Sequence, residues 1–248
     1  MAIRINAGTD DLRRSAPPDE SALTMCGWTR VIADTGAAYQ ALGGIEDTGL
    51  GVWNILYWEG ATSNAMAISS GAAEVNFASR PAVGTWFFWA ITSTTAGAGS
   101  LIGYWSLATS STFNSASTTG QAGTSDRLTI GNDSGASNFL DGRFAAIKVW
   151  DAVLTQAELE QEKWSIRPRR WANIHLWAPC RIATELADYS GNGRTLTATG
   201  TLTTEDGPPV PWGAGSIILP FVAAAAGTTF TKITGERFGL AGGRGLVA

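Results

Sequence analysis

From Ala2 to Trp150 the chain is a series of short apolar or alternating runs, each closed by a cluster of Gly, Ser, Thr, Asn or Asp. Alternation with period two, broken by turn residues, is the pattern of strands, because successive strand side chains point to opposite faces. The pattern predicts strands at Ile3–Asn6, Ala22–Ile32, Ala38–Ile45, Val52–Trp58, Met66–Ser69, Glu74–Phe77, Thr85–Thr92, Leu101–Trp105, Arg127–Ile130 and Arg143–Trp150. So many short strands in so short a stretch fit two packed sheets, an all-β sandwich. No unit recurs at a fixed period, so a solenoid or propeller is not expected.

The run Trp86-Phe87-Phe88-Trp89 is apolar at every position, so both faces of that strand must be covered. If Trp86 and Phe88 face the core, Phe87 and Trp89 face outward or lie under a loop. Two readings stay open here: a central strand of a large sandwich, or an aromatic platform that stacks on sugars. Trp53, Trp58 and Trp89 are the candidate ligand-binding rings.

One helix is legible. Thr155-Gln156-Ala157-Glu158 is a capping box, in which the threonine hydroxyl accepts from the Glu158 amide and Glu158 reaches back to the threonine amide. Leu154 and Leu159 flank it as an apolar staple, and Pro168 prevents continuation beyond about Trp164. Glu158, Glu160 and Glu162 are expected to be solvated.

After the basic connector Arg167-Pro168-Arg169-Arg170 the character changes. Asn173–Trp177 reads as a further strand, followed by the turn-rich Asp188-Tyr189-Ser190-Gly191-Asn192-Gly193 and the alternating Thr195–Thr199. The expected organisation is a body at 1–172, additional strands at 173–212 packing back onto it, and an extended apolar arm at 213–248. Ile217, Ile218, Leu219, Phe221, Phe230 and Phe238 of the arm are the candidate assembly residues, since apolar groups so spaced are an aggregation liability in water. The alternative is a flexible tail.

Composition narrows the function. Charged residues make up 15% of the 248 positions, against about 25% in ordinary domains, so Ser, Thr, Asn and Gly must build the surface. A net charge of -4, with one basic cluster at Arg167, Arg169 and Arg170, argues against a nucleic-acid partner. No apolar run reaches the ~18 residues of a membrane span, and no signal-peptide core follows Met1, so synthesis in a host cytoplasm is expected. Cys26 and Cys180 are too few for a disulfide framework and read as buried thiols. The single histidine, His175, reads as a buried or edge-strand residue, which leaves no evident base for serine or cysteine hydrolysis.

The stretch Phe139–Leu159 resembles the closing strand and helix of laminin-G-like, or concanavalin A-like lectin/glucanase, jelly rolls. The shared pattern is a glycine, an alternating strand ending in an aromatic, a short loop and a capped helix. Gly142, Phe144, Ile147, Val149, Trp150, Leu154, Ala157, Glu158 and Leu159 fall on those positions. Ala22–Arg30 is similar to the family's early strand and Arg127–Gly131 to the strand before the closing one. The resemblance spans Ala22 to Trp164 and implies two curved antiparallel sheets with loops at one edge available for ligands. Asp188–Gly193 looks like a segment that in many members precedes the first strands, yet here it follows the helix.

In the glucanase branch, carboxylates on alternate residues of one strand act as nucleophile and acid. No Glu-x-Asp-x-x-Glu run is present, and the adjacent Glu46 and Asp47 point to opposite faces of a strand, so no catalytic residues and no enzymatic activity are expected. The resemblance implies Ca²⁺ as the one candidate ion, through Asn132, Asp133, Asn138 and Asp141, the alternative being a turn built on Asx hydrogen bonds. No other cofactor is expected. Bacteriophage proteins that resemble this family carry the Asp-Tyr-Ser-Gly-Asn-Gly segment, so the resemblance implies a structural protein of a virion surface. It would decorate a head or belong to a tail, anchored by its arm to other virion subunits or to its own copies in a homo-oligomer. The alternative is a carbohydrate-binding adhesion or receptor-binding module with a host glycan as partner.

Overall fold

Two antiparallel sheets carry the chain. The computed structural model describes residues 1–6, 10–15, 22–37, 39–47, 52–59, 65–71, 73–94, 97–120, 125–133 and 138–210, without the side chains of 52, 53 and 97–99. The first sheet runs Asn114–Gly120 (β10), Gly97–Leu107 (β9), Trp86–Thr94 (β8), Ala22–Ala33 (β3), Asp141–Trp150 (β12), Ala2–Ile5 (β1) and Thr203–Glu205 (β15), with Ile174–Ala178 (β13) also on β12. The second runs Thr197–Thr199 (β14), Asp11–Ser15 (β2), Arg127–Ile130 (β11), Gln40–Asp47 (β4), Val52–Trp58 (β5), Met66–Ser69 (β6) and Glu74–Asn76 (β7). Strands remote in sequence are neighbours, β3 beside β12 and β2 beside β11, giving the crossed topology of a jelly-roll sandwich.

The β2 and β10 strands were not legible in the pattern, since their sequences Asp-Leu-Arg-Arg-Ser and Asn-Ser-Ala-Ser-Thr-Thr-Gly are mostly polar. Pairing with β11 and β14 holds β2, and β10 is an edge strand that stays largely in solvent. The central strands are apolar on both faces for a reason that sheet packing supplies. On β8, Phe87, Trp89 and Ile91 enter the core between the sheets, where they meet Met25, Leu42, Leu56 and Trp58. Phe88 and Ala90 point the other way, with Trp28, Trp150 and Leu159, under the only described helix, α1 (Gln156–Lys163). The phase is thus the reverse of one that puts Trp86 and Phe88 in the inter-sheet core.

Helix α1 begins at Thr155 with both halves of the capping box formed: the Glu158 amide donates to Thr155 Oγ1, and the Thr155 amide donates to Glu158 Oε2 at 2.8 Å. Leu154 and Leu159 are buried in the same cluster. The helix is otherwise polar on its buried side. Glu162 is fully buried, not solvated, because Lys148 of β12 rises from the sheet beneath it, with Nζ 2.7 Å from Oε2. Lys148 also donates to the carbonyls of Glu162 and Ser165, and Glu162 Oε1 accepts from the Arg169 and Arg170 amides at 2.7 and 2.8 Å.

The strand β12 is shared lengthwise. Gly142–Phe144 pair with β1 and Ile147–Trp150 with β13, and between the two partners Ala146 adopts φ +54 while its N–H donates to the Pro179 carbonyl at 2.8 Å. From Ile174 onward the chain supplies strands to both sheets, β13 and β15 to the first and β14 to the second. Met1–Ala214 form one compact unit. The expected arm and its Ile217, Ile218, Leu219, Phe221, Phe230 and Phe238 lie outside the described residues. Cys26 and Cys180 are free and buried, in the outer and inner clusters respectively. No helix among the described residues is long and apolar enough to cross a membrane.

Candidate functional site

The outer face of the second sheet, turned away from the core, concentrates polar and acidic groups. Alternation sets this: Ile45 of β4 and Leu56 and Trp58 of β5 point inward, so Glu46, Ile55 and Tyr57 point out. Register then places Arg127 of β11 directly opposite Glu46. Its guanidinium lies 3.5 Å from Glu46 Oε2, and Thr129 Oγ1 donates to Oε1 at 2.9 Å. One strand further, Asp11 is paired with Arg13 at 2.5 Å and accepts from Asn132 at 3.3 Å. All of these carboxylates are buried.

Three of the four candidate metal ligands come together. Asn132 Oδ1 accepts from the Asp133 amide at 2.8 Å, Asn138 Nδ2 donates to Asp133 Oδ2, and the Tyr57 hydroxyl donates to that same oxygen at 3.4 Å. Asp141 stands apart on β12, 3.2 Å from Arg4 of β1. Calcium requires six to eight oxygens facing one point. Here two donors aim at the Asp133 carboxylate, the Asn132 amide group is turned to Asp11, and the Asp141 charge is met by arginine, so the described residues do not form that shell. Among the described residues no three His, Cys, Asp or Glu side chains are grouped to hold a metal.

Near one edge of the same sheet is a carboxyl pair that the sequence pattern did not single out. Glu59, just past β5, lies beside Glu74 of β7. Burial, then the charge of Glu74, push Glu59 up to about 7. The charge of Glu74 also raises the Tyr39 phenol above its ordinary range, and the Tyr39 ring lies 5.3 Å from that of Tyr57. Arg80 donates to the Glu59 carbonyl, pairs with Asp34 at 2.9 Å and covers the Trp58 ring at 4.6 Å. These partners are strands apart in sequence, which is why spacing gave no signal.

The candidate sugar-stacking rings sit elsewhere. Trp58 and Trp89 are fully enclosed between the sheets, Trp58 stacked on Phe87 at 5.9 Å and Trp89 donating to Thr29 Oγ1 at 2.8 Å. Neither offers a ring face to solvent, because β5 and β8 both direct these positions inward. Trp53 lies in β5 opposite Glu46, and its side chain falls outside the described residues.

Residues 7–160, more than half of the chain, match the concanavalin A-like lectin/glucanases superfamily, and the two-sheet antiparallel sandwich agrees with that fold. The chain belongs to that superfamily. Among solved structures, a candidate carbohydrate-binding protein from Bacteroides ovatus is similar at a TM-score of 0.58 and 15% identity, over 86% of this chain and 62% of that one. The chain thus spans less than two thirds of that protein's length. Full-length tailspike protein 2 of a bacteriophage of Escherichia coli is similar at 0.55 and 14% identity, over 71% of this chain and 26% of that one. The enzymatically active domain of that tailspike gives 0.55 and 15%, over 71% and 29%. At these identities the likeness is one of fold. No curated protein matches the chain.

Within the superfamily fold, glycoside hydrolysis needs two carboxyl groups about 5 to 9.5 Å apart with the sugar between them. Glu59 lies beside Glu74, whose charge helps to push it up to about 7. Glu46 and Asp11 are held by arginines and hydroxyl or amide donors.

The turn-rich segment after β13 forms a further surface of the sandwich. Asp188-Tyr189-Ser190-Gly191-Asn192-Gly193 lines the free edge of β13. Asp188 accepts from the Trp177 amide at 3.1 Å, Tyr189 donates to the Trp177 carbonyl at 2.8 Å, and Asn192 donates to the Ile174 carbonyl at 2.7 Å. The segment that the resemblance could not place is thus an edge cover, satisfying backbone groups that would otherwise invite another strand. His175 of β13 is buried, its Nδ1 2.9 Å from Asp151, and burial lowers its pKa despite that partner.

Proposed function

We propose that this chain is a non-catalytic, carbohydrate-binding surface module. The observation that carries the reading is the condition of the carboxylates on the outer face of the second sheet of a lectin/glucanase sandwich: each is engaged by an arginine, a hydroxyl, an amide or a second carboxyl. A nucleophile and an acid held in this way lack the freedom that hydrolysis requires. Binding needs only hydroxyl-matching polar groups and an exposed ring. A glycan array probed with the full chain is expected to give binding, with no reducing ends released from the bound sugars. Release of reducing ends that is lost in Glu59→Gln or Glu46→Gln would overturn the reading in favour of an enzyme.

A narrower reading places the module on a bacteriophage virion, anchored to other subunits or to its own copies by residues 213–248. Its support is the apolar, Ala- and Gly-rich composition of that segment and the tailspike of like fold. Light scattering on the full chain and on a version ending at Trp212 tests it. A defined oligomer that falls to a monomer on truncation agrees with an assembly arm, and two monomers contradict it.

A further inference from the structure

Trp171 is 45% exposed, although it sits on a backbone that is fixed on both sides. Before it, the Arg169 and Arg170 amides donate to the buried carboxylate of Glu162, and the Arg170 carbonyl accepts from Trp150 Nε1 at 2.9 Å. After it, the Asn173 carbonyl accepts from the Asp151 amide at 2.9 Å, and the Ile174 amide donates back to the Trp171 carbonyl. The fixed backbone therefore presents the uncovered part of the indole to solvent at a set place on the surface.

The ring is not isolated. It meets Trp177 edge-on with centroids 5.8 Å apart, Trp177 meets Tyr189 at 5.7 Å, and the Arg167 guanidinium lies 5.8 Å from the Trp177 centroid. Tyr189 is fixed in turn by its backbone bond to Trp177 and by the hydrogen bonds of Asp188 and Ser190 on either side of it. The Trp177 ring is 3% exposed and its Nε1–H finds no acceptor among the described residues, so this ring is the buried seat of the group, and Trp171 with the half-buried Tyr189 carries the accessible faces. Arg167 and Arg169 are exposed and take part in no ion pair among the described residues, whereas Arg170 is paired with Glu158 at 2.8 Å.

We infer that Trp171, Tyr189 and Arg167, seated on the buried Trp177 ring, form a preorganised binding platform for a glycan carrying carboxylate groups, such as uronate or sialate. The inference rests on the carbohydrate-binding reading and assigns its ligand class and location. A pyranose presents an apolar C–H face that stacks on an exposed indole, and a carboxylate fits the planar fork of an arginine. The platform lies at the free edge of β13, on the first sheet and the loops beside it; the carboxylates nearest to it are already engaged, Glu185 by Arg181 and the Tyr189 hydroxyl, and Asp188 by Ser190 and the amides of Trp177 and Arg194. Because the rings are held before the ligand arrives, little side-chain ordering opposes binding.

The test is an array of uronate- and sialate-bearing oligosaccharides, each printed beside its methyl ester, probed with the full chain and with Trp171→Ala and Arg167→Gln, followed by calorimetry on the strongest binder. The full chain is expected to prefer the free acids. Trp171→Ala, at an exposed position, is expected to keep the native melting temperature and to bind at least ten-fold more weakly. Arg167→Gln is expected to reduce the free acids to the level of their esters while leaving the esters unchanged. If the full chain binds glycans and both variants bind equally well, the platform is overturned and the carbohydrate reading stands. Equal binding of acids and esters, with loss in Trp171→Ala, overturns the choice of an acidic ligand. Failure of the full chain to bind any glycan overturns both.

Discussion

Lys148 and Glu162 form an ion pair of 2.7 Å that is sealed between strand β12 and helix α1. The lysine comes from the sheet and the glutamate from a helix with few apolar residues, so this pair and the leucines at the helix start attach α1 to the sandwich. Buried pairs cost desolvation on forming, but removing one partner leaves a charge in the interior. Lys148→Met is therefore expected to lower stability by about 3–5 kcal/mol. The double variant Lys148→Met, Glu162→Leu should recover part of that loss, as read by denaturant melts of the three proteins.

The Glu59–Glu74 pair sets a pH dependence of opposite sign to the usual acid limb. Glu59 is held near 7 in the fold, against about 4.3 in the unfolded chain. Between those values the native state binds more protons, so stability falls as pH rises through that window. Glu59→Gln keeps the size of the side chain and removes its charge. It is expected to raise the melting temperature by a few degrees at pH 8 and to change little at pH 4.

Asp188 organises the cover on β13. Burial alone would raise its pKa, but the Ser190 hydroxyl and the amides of Arg194, Trp177 and Ser190 outweigh it and hold the carboxyl below its ordinary range. A depressed carboxyl contributes stability above the unfolded value of about 3.9, and that contribution is lost as pH falls through the folded pKa. Asp188→Ala is expected to cost roughly 2–4 kcal/mol at pH 7, since several donors lose their acceptor at once. Hydrogen exchange should then speed up at the amides of β13 and residues 188–194.

Cys26 and Cys180 are fully buried, and desolvation pushes both thiols above their ordinary range. Only the thiolate reacts. Both cysteines are expected to resist an aromatic disulfide reagent at pH 8 in the native protein and to label together on unfolding. Fast labelling of either one before unfolding would contradict the packing described.

The fold was legible where its determinants are local. Strands β3, β5, β6, β8, β11 and β12 follow from alternation and turn residues. The cap at Thr155 follows from two residues three apart, and the resemblance over Phe139–Leu159 falls on the closing strand and its helix. The candidate site was less legible. Trp58 and Trp89 were singled out as aromatic, yet aromaticity does not say which face of a strand is covered, and both are core. Glu162 was expected in solvent because α1 is polar overall, and only the lysine rising from β12 places it inside.

By itself the sequence determined the class of fold and the position of the helix, since these depend on periodicity and capping. Tertiary structure alone decided which carboxylates meet which arginines, that Glu59 shares its surroundings with Glu74, and that the Asp188–Gly193 segment closes an edge and sets Tyr189 beside Trp177 and Trp171. The physical reason is that strand neighbours in this sandwich are distant in sequence, and a side chain's burial and charge environment are set by the strand across from it.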